Sequence, residues 1–297
     1  MTQAPERTGP SPLLLWGLIA VMTLLWTANP LAGKVALREV PPVLLIAVRT
    51  TIAGFVILLV LLNDFRKGLK ISLRDWLMLG AFGVVLQLGN QMLFVNGLSK
   101  TSVSHVAFIY ALTPVLILCL AAGIGQERFT LRKILGMAIS VCGVALLARD
   151  QAGGEATIAG DAIVFCGIFT FAAFSVFGKS LRQRFGSIVM NAASYMTGAV
   201  VFQPLIWGVY GDFDLTAVSA TAWSAVVFMA VFPAVIGYLI YYWALGHAPA
   251  SRIAAVQYVQ PPLATTLGAL FLAESVTATL LVAGAFILVG VFLTERG

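Results

Sequence analysis

Between Pro42 and Leu62 the chain reads PVLLIAVRTTIAGFVILLVLL, with Arg49 as its one charged residue. Runs of about 18 or more mainly apolar residues recur along the whole sequence, and a helix of that length and composition crosses the hydrocarbon core of a bilayer. Composition excludes a soluble alternative. Of 297 residues, 60% are hydrophobic and 10% charged, where a soluble domain carries about 25% charged residues. The expected class is an all-α polytopic membrane protein.

The apolar pattern divides into ten expected spans, at 13–33, 42–62, 76–96, 103–125, 133–148, 160–179, 187–208, 221–245, 252–273 and 277–294. The connections are short. Met1–Pro12 is a polar tail, expected on the cytoplasmic side. The Leu13–Leu25 run shows no evident small-residue cleavage site, so it reads as an uncleaved first helix. The basic residues then orient the bundle. With the N-terminus inside, the inner connections hold Arg7; Arg66, Lys67, Lys70 and Arg74; Arg128, Arg132 and Lys133; Lys179, Arg182 and Arg184; Arg252; and Arg296. The outer ones hold Lys34, Arg38, Lys100 and Arg149. This positive-inside bias places both termini in the cytoplasm. It also accounts for a pI of about 9.4 without a nucleic-acid partner. Cys119, Cys142 and Cys166 all fall within apolar runs. An odd, buried set argues against a disulfide framework, and no metal-ligand spacing is present. No metal and no cofactor is expected.

Shifting the sequence by 147 positions aligns its middle with its end. Leu98 meets Leu245, Ser104 meets Ser251, Pro114 meets Pro261, Glu127 meets Glu274, Thr130 meets Thr277 and Gly143 meets Gly290. Such internal self-similarity marks a duplicated unit. The expected units are a first five-helix repeat over 13–150, a linker over 151–159 facing the periplasm, and a second repeat over 160–297. Five spans is an odd number, so the second repeat enters the membrane inverted. Inverted repeats are the architecture of secondary transporters, with the substrate site between the halves near the midplane.

The duplicated prolines fall about midway along spans four and nine. A proline within a helix removes one backbone donor, which orphans the carbonyl four residues earlier. Those carbonyls belong to Tyr110 and Gln257. Pro114 and Pro261 are therefore expected to kink or hinge two symmetry-related helices flanking a cavity. Glu127 and Glu274 fall at span ends, three residues before Thr130 and Thr277, which look like helix N-caps. A boundary role is expected for both glutamates.

Several segments resemble the EamA group of the drug/metabolite transporter superfamily. They are LLWTANPLAGKVAL (24–37), PPVLLIAVRTTIAG (41–54), FVNGLSKTSVSHVAFIYALTPV (94–115), GMAISVCGVALL (136–147), ALGHAPASRIAAVQYVQPPLATTLGALFLAE (244–274) and GAFILVGVFL (284–293). The resemblance covers nearly the whole chain. It implies ten helices in two five-helix repeats around a central cavity, and transport of small metabolites, often amino-acid export. With the compact loops, it also implies a bacterial inner (plasma) membrane.

Polar side chains inside a bilayer are costly and face the bundle interior. Span three carries Gln87, Asn90, Gln91 and Phe94 at i, i+3, i+4 and i+7, one stripe on one helix face. Span one offers Trp26 and Asn29 beside Pro30, span four Tyr110, span eight Tyr238, and span nine Gln257, Tyr258 and Gln260. These are the candidate substrate-binding residues. Tyr241, Tyr242 and Trp243 read as an interfacial aromatic belt, and Phe171 and Phe174 as packing. Arg49 is the one permanent charge well within a span; a structural tie competes there with a grip on a substrate carboxylate. His105 reads as a packed, satisfied side chain. None of the acidic residues lies at mid-span, which favours facilitated movement over coupling to a buried carboxylate.

No catalytic constellation is present, since a nucleophile–base pair or metal ligands would be needed. The expected function is a secondary transporter or facilitator of small metabolites, most of all neutral or aromatic amino acids (export), working by alternating access. The alternative is sugar-phosphate, nucleotide-sugar or lipid-linked cargo, the last in the manner of a flippase. The expected partners are a small-molecule substrate and membrane lipid. No feature of the sequence fixes an oligomeric state.

Overall fold

A computed structural model describes residues 10–66, 71–125, 129–150, 156–245, 247 and 258–296, with a few side chains inside the helices left undescribed. All the regular structure described is helical. Seven of the described helices start on a Ser or Thr cap, because the first turn of a helix leaves N–H groups without intrahelical acceptors. Ser11, Ser72, Ser102, Thr157 and Ser219 each accept from a backbone N–H two or three residues inside the helix they open. Thr130 and Thr277 do the same for Lys133 and Leu280, as the sequence leads one to expect.

Seven of the described helices are long and apolar enough to cross a membrane: Pro12–Ala36, Pro42–Leu62, Leu73–Leu98, Val103–Gly123, Ile158–Phe177, Ala220–Tyr241 and Ala278–Glu295. The other three expected spans are met by shorter helices. Leu131–Leu147 has 17 residues. The seventh breaks before Pro204 into Ser187–Val201 and Gln203–Val209. The ninth is described from Gln260 to Leu272, while 252–257 lie outside the described residues. Two long helices each contain one π turn, Gly83–Leu88 and Phe232–Gly237, in the third and eighth expected spans. Such turns free backbone groups and often mark functional sites.

The packing pairs helices across the two parts of the chain. Pro12–Ala36 lies on Ala220–Val231, and Ile158–Phe177 lies on Gly89–Leu98. The first helix of each part thus joins the other part's third helix. Pro42–Arg66 packs on Ser187–Val201, and Val103–Tyr110 on Gln260–Leu272. The most extensive contact among the described residues joins Leu131–Leu147 to Ala278–Glu295. Its centre is glycine: a Cβ on Gly136 would stand 2.5 Å from the Gly290 carbonyl oxygen, and a Cβ on Gly290 would stand 2.5 Å from that of Gly136. Small residues let membrane helices approach backbone to backbone, where dispersion supplies the attraction that water supplies in soluble cores.

Candidate functional site

The helices line a cavity of about 620 Å³. Its lining includes Trp26, Asn29, Arg49, Asn90, Gln91, Tyr110, Pro114, Tyr238 and Gln260. The sequence-expected site residues with described side chains all stand here except Tyr258 and the buried Pro261, which lie outside the lining. The Gln87 side chain and the whole of Gln257 lie outside the described residues. The cavity also collects residues assigned elsewhere from the sequence. Tyr241, expected in an interfacial belt, stands on the cavity wall, its ring 5.5 Å from Trp26. Phe171 and Phe174, expected as packing, line it too. Lys133, Thr294 and Glu295 lie on the lining at one end, and the exposed Glu295 shows that the cavity reaches the surface there.

Both duplicated prolines sit at a break rather than within a continuous helix. Val103–Tyr110 stops, Ala111 and Leu112 form a turn, and Thr113–Gly123 begins with Pro114 in its first turn, where the missing N–H costs nothing. The carbonyl left over at Tyr110 accepts from the Thr113 hydroxyl at 2.6 Å. Pro261 likewise falls in the first turn of Gln260–Leu272, after a turn at Tyr258 and Val259. The kink expected at Pro114 is therefore a break between half-helices, and Pro261 stands just after a turn, with the residues before Tyr258 outside the described ones.

The polar stripe divides into a tie and a free face. Asn90 donates to the Gly167 carbonyl at 2.7 Å and to the Tyr110 hydroxyl at 3.0 Å, joining three helices. Its oxygen accepts from Gln91 Nε2 at 3.3 Å. With its hydrogen-bonding capacity committed, Asn90 holds the cavity together. Tyr110 meets Phe94 edge to face at 5.7 Å. Trp26 is also a tie: its indole N–H donates to the Pro233 carbonyl at 3.2 Å, taking up a backbone group of the second π turn.

Among the described residues, four buried polar atoms of this lining have no hydrogen-bond partner: Asn29 Oδ1, Arg49 Nη1, Gln91 Oε1 and Gln260 Nε2. Arg49 is 4% exposed. It lies among Tyr110, Tyr195 and Tyr238, and among the described residues no carboxylate pairs with it. A buried, unpaired guanidinium is strongly destabilising unless something balances it. The site thus holds a cation, a spare amide donor and spare amide acceptors within aromatic walls.

Two carboxylates tie helices together at the opposite end of the bundle. The Glu39 carboxylate accepts from the Ser219 N–H and hydroxyl, both at 2.6 Å, and these bonds hold its pKa below the usual carboxylate value. Glu274, 6% exposed, accepts from the Val103 N–H at 2.6 Å and from the Ser104 N–H and hydroxyl. It is aimed there by Ala273, whose φ of 58° lies in the left-handed region that only glycine enters without strain. The boundary role expected for Glu274 is thereby a link between the two parts of the chain; Glu127 lies outside the described residues.

Comparison with known proteins agrees with this architecture. The sequence profile described as the EamA-like transporter family matches twice, over residues 13–149 and 158–296. An uncharacterized transporter of Archaeoglobus fulgidus is 26% identical over 95% of this chain and 98% of its own. A probable terminal-alkyne amino-acid exporter of Streptantibioticus cattleyicolor is 28% identical over 75% of this chain and 74% of its own. A solved crystal structure, 21% identical, superposes with a TM-score of 0.65 over 96% of this chain and 98% of its own, a likeness of fold. The chain belongs to the EamA-like transporter family and is an integral membrane transporter, not an enzyme.

Proposed function

We propose that the protein moves small zwitterionic metabolites, foremost neutral or aromatic amino acids, by alternating access between two inverted five-helix repeats, 13–150 and 160–297 joined by a linker over 151–159. The observation that carries this is the unpartnered Nη1 of Arg49 in an aromatic cavity with unpartnered amide atoms of Asn29, Gln91 and Gln260. An α-amino acid supplies the complementary groups: a carboxylate for the guanidinium and an ammonium for amide oxygens. Its side chain then meets Trp26, Tyr238 or Phe171. The amino-acid exporter among the relatives supports the same reading. The basic-residue bias supports ten spans with both termini in the cytoplasm of a bacterial inner membrane. In that orientation the cavity opens inward, at the Glu295 end, and loading from the cytoplasm suits export.

Lys133, a second cation on the lining, favours a second reading in which the cargo bears a phosphate. Substrate counterflow decides between them. Protein in liposomes preloaded with one unlabelled compound is expected to accumulate labelled phenylalanine or leucine and not a labelled sugar phosphate. The reverse pattern replaces the first reading with the second.

A further inference from the structure

At the tied end of the bundle three ionisable side chains meet inside the protein, away from the cavity. His105, 3% exposed, stands in the first turn of Val103–Tyr110. Its Nδ1 is 2.9 Å from Asp161 Oδ2, and its Nε2 is 3.7 Å from Asp150 Oδ2. Asp150, 7% exposed, follows Leu131–Leu147, and Asp161 lies in the first turn of Ile158–Phe177. The Thr101 hydroxyl donates to the other oxygen of Asp161. His105 is thus packed, as its sequence context suggests, but between two carboxylates.

A neutral imidazole has one N–H; its other nitrogen presents a lone pair. Here each ring nitrogen faces a carboxylate oxygen. A lone pair opposed to a buried carboxylate is repulsive, so the trio is satisfied only when it holds a further proton, on the ring or on Asp150. Among the described residues, most of the surrounding elements bring no cation to the trio. Gln260–Leu272 contains no ionisable residue, and Glu274 beyond it is committed to Val103 and Ser104. Ala278–Glu295 and Leu131–Leu147 carry their ionisable groups (Glu295; Arg132 and Lys133) at the far end, apart from the thiol of Cys142, which is exposed. Pro12–Ala36 brings Lys34 in its last turn, and the flanking Lys100 and Arg149 are exposed.

We propose that His105, Asp150 and Asp161 form a proton-binding site that makes substrate movement depend on pH. The helix that begins beside this trio presents Val106, Ala107 and Tyr110 to the cavity. While the extra proton is held, the trio pins the start of that helix to the end of Leu131–Leu147 and the start of Ile158–Phe177. When the proton leaves to water, Asp150 faces a bare lone pair, the contact turns repulsive, and that end of the cavity helix is released. The inference rests on the transport reading above, and its test separates the two.

The site is read first without any cargo. Of the two histidines, His247 is exposed, so a His247→Gln protein with isotope-labelled histidine reports His105 alone by NMR in nanodiscs. The expected result is a ring signal that responds to pH and whose response is altered by Asp150→Asn. A ring signal that ignores pH throughout, or that ignores Asp150→Asn, overturns the proposal whatever the cargo. Counterflow of labelled phenylalanine, at equal pH on both sides, is then stepped over the same range. The wild-type rate is expected to change with the midpoint of the ring titration, and His105→Gln to lose that step. A pH profile shared by wild type and His105→Gln overturns the coupling and leaves the transport reading standing. No counterflow of phenylalanine or any other amino acid at any pH overturns the amino-acid cargo, and the NMR titration alone then decides the proton site.

Discussion

The Glu274 carboxylate caps a helix that begins 171 residues earlier, accepting from the Val103 N–H at 2.6 Å. An anion at a helix N-terminus is favoured by the exposed N–H groups and by the helix dipole. Hydrogen bonds to a buried charged group are worth about 1.5–3 kcal/mol. Glu274→Gln is therefore expected to lower stability by about that amount, and Ser104→Ala by about 1 kcal/mol. The two should be non-additive, because they share the Ser104 hydroxyl bond. Thermal unfolding of the single and double variants in detergent checks this; simple additivity would remove the contact from the account. Ala273→Gly, which relieves the left-handed strain at no loss of contact, should instead stabilise by about 1 kcal/mol.

Arg49 discriminates between a tie and a ligand group. Arg49→Met removes the charge and leaves a side chain of comparable length. If the guanidinium grips a carboxylate, this variant should fold at least as well as wild type, since a buried unpaired charge is gone. It should also lose tenfold or more in amino-acid affinity, about 1.4 kcal/mol or above. Ligand-induced shifts in melting temperature measure both quantities. A variant that melts far below wild type makes Arg49 structural.

Pro114 and Pro261 begin half-helices after turns, so Pro114→Ala with Pro261→Ala gives each break the chance to heal into continuous helix. Turnover in counterflow should fall severalfold while substrate affinity stays within about twofold. Equal turnover in wild type and double variant would take the movement away from these breaks.

The Glu39 carboxylate titrates below its ordinary value because Ser219 donates two bonds to it. A carboxylate whose folded pKa is depressed holds its contact above the unfolded pKa and loses it as pH falls through the folded one. Hydrogen exchange at Ala222, whose N–H donates to the Ser219 hydroxyl, should stay protected at neutral pH and speed up only in acid. Glu39→Gln should show no such acid step.

Much of the cavity was legible because helical spacing survives even in a strongly apolar chain. Asn90, Gln91 and Phe94 fall on one stripe by their spacing from Gln87, and all three line the cavity. The division between Asn90 and Gln91 was not legible, since Asn90 is committed by Gly167, a residue 77 positions away. Aromatic side chains were the hardest to assign. Tyr241 facing a cavity and a tyrosine facing lipid headgroups have the same neighbours in sequence. The His105 partner Asp161 lies 56 residues off, at the start of another span, so a search for acids at mid-span passes over it. Of the two π turns, the second carries Pro233 near its start, a helix breaker that the apolar pattern passes over.

The glycine seam has a consequence for how such a chain arises. Gly136 meets the backbone of Gly290, and their counterparts at the 147-residue shift, Ala283 and Gly143, meet in the same way, a Cβ on Gly143 standing 2.8 Å from the Ala283 carbonyl oxygen. That reciprocity is the property of a two-fold dimer interface, in which one surface patch is complementary to itself. A single half would already carry both sides of the contact. Two identical halves, one upright and one inverted in the bilayer, would close on each other through it before any peptide bond joined them. The covalent link then fixes a one-to-one ratio and allows the two halves to diverge, so that Arg49 has no twin.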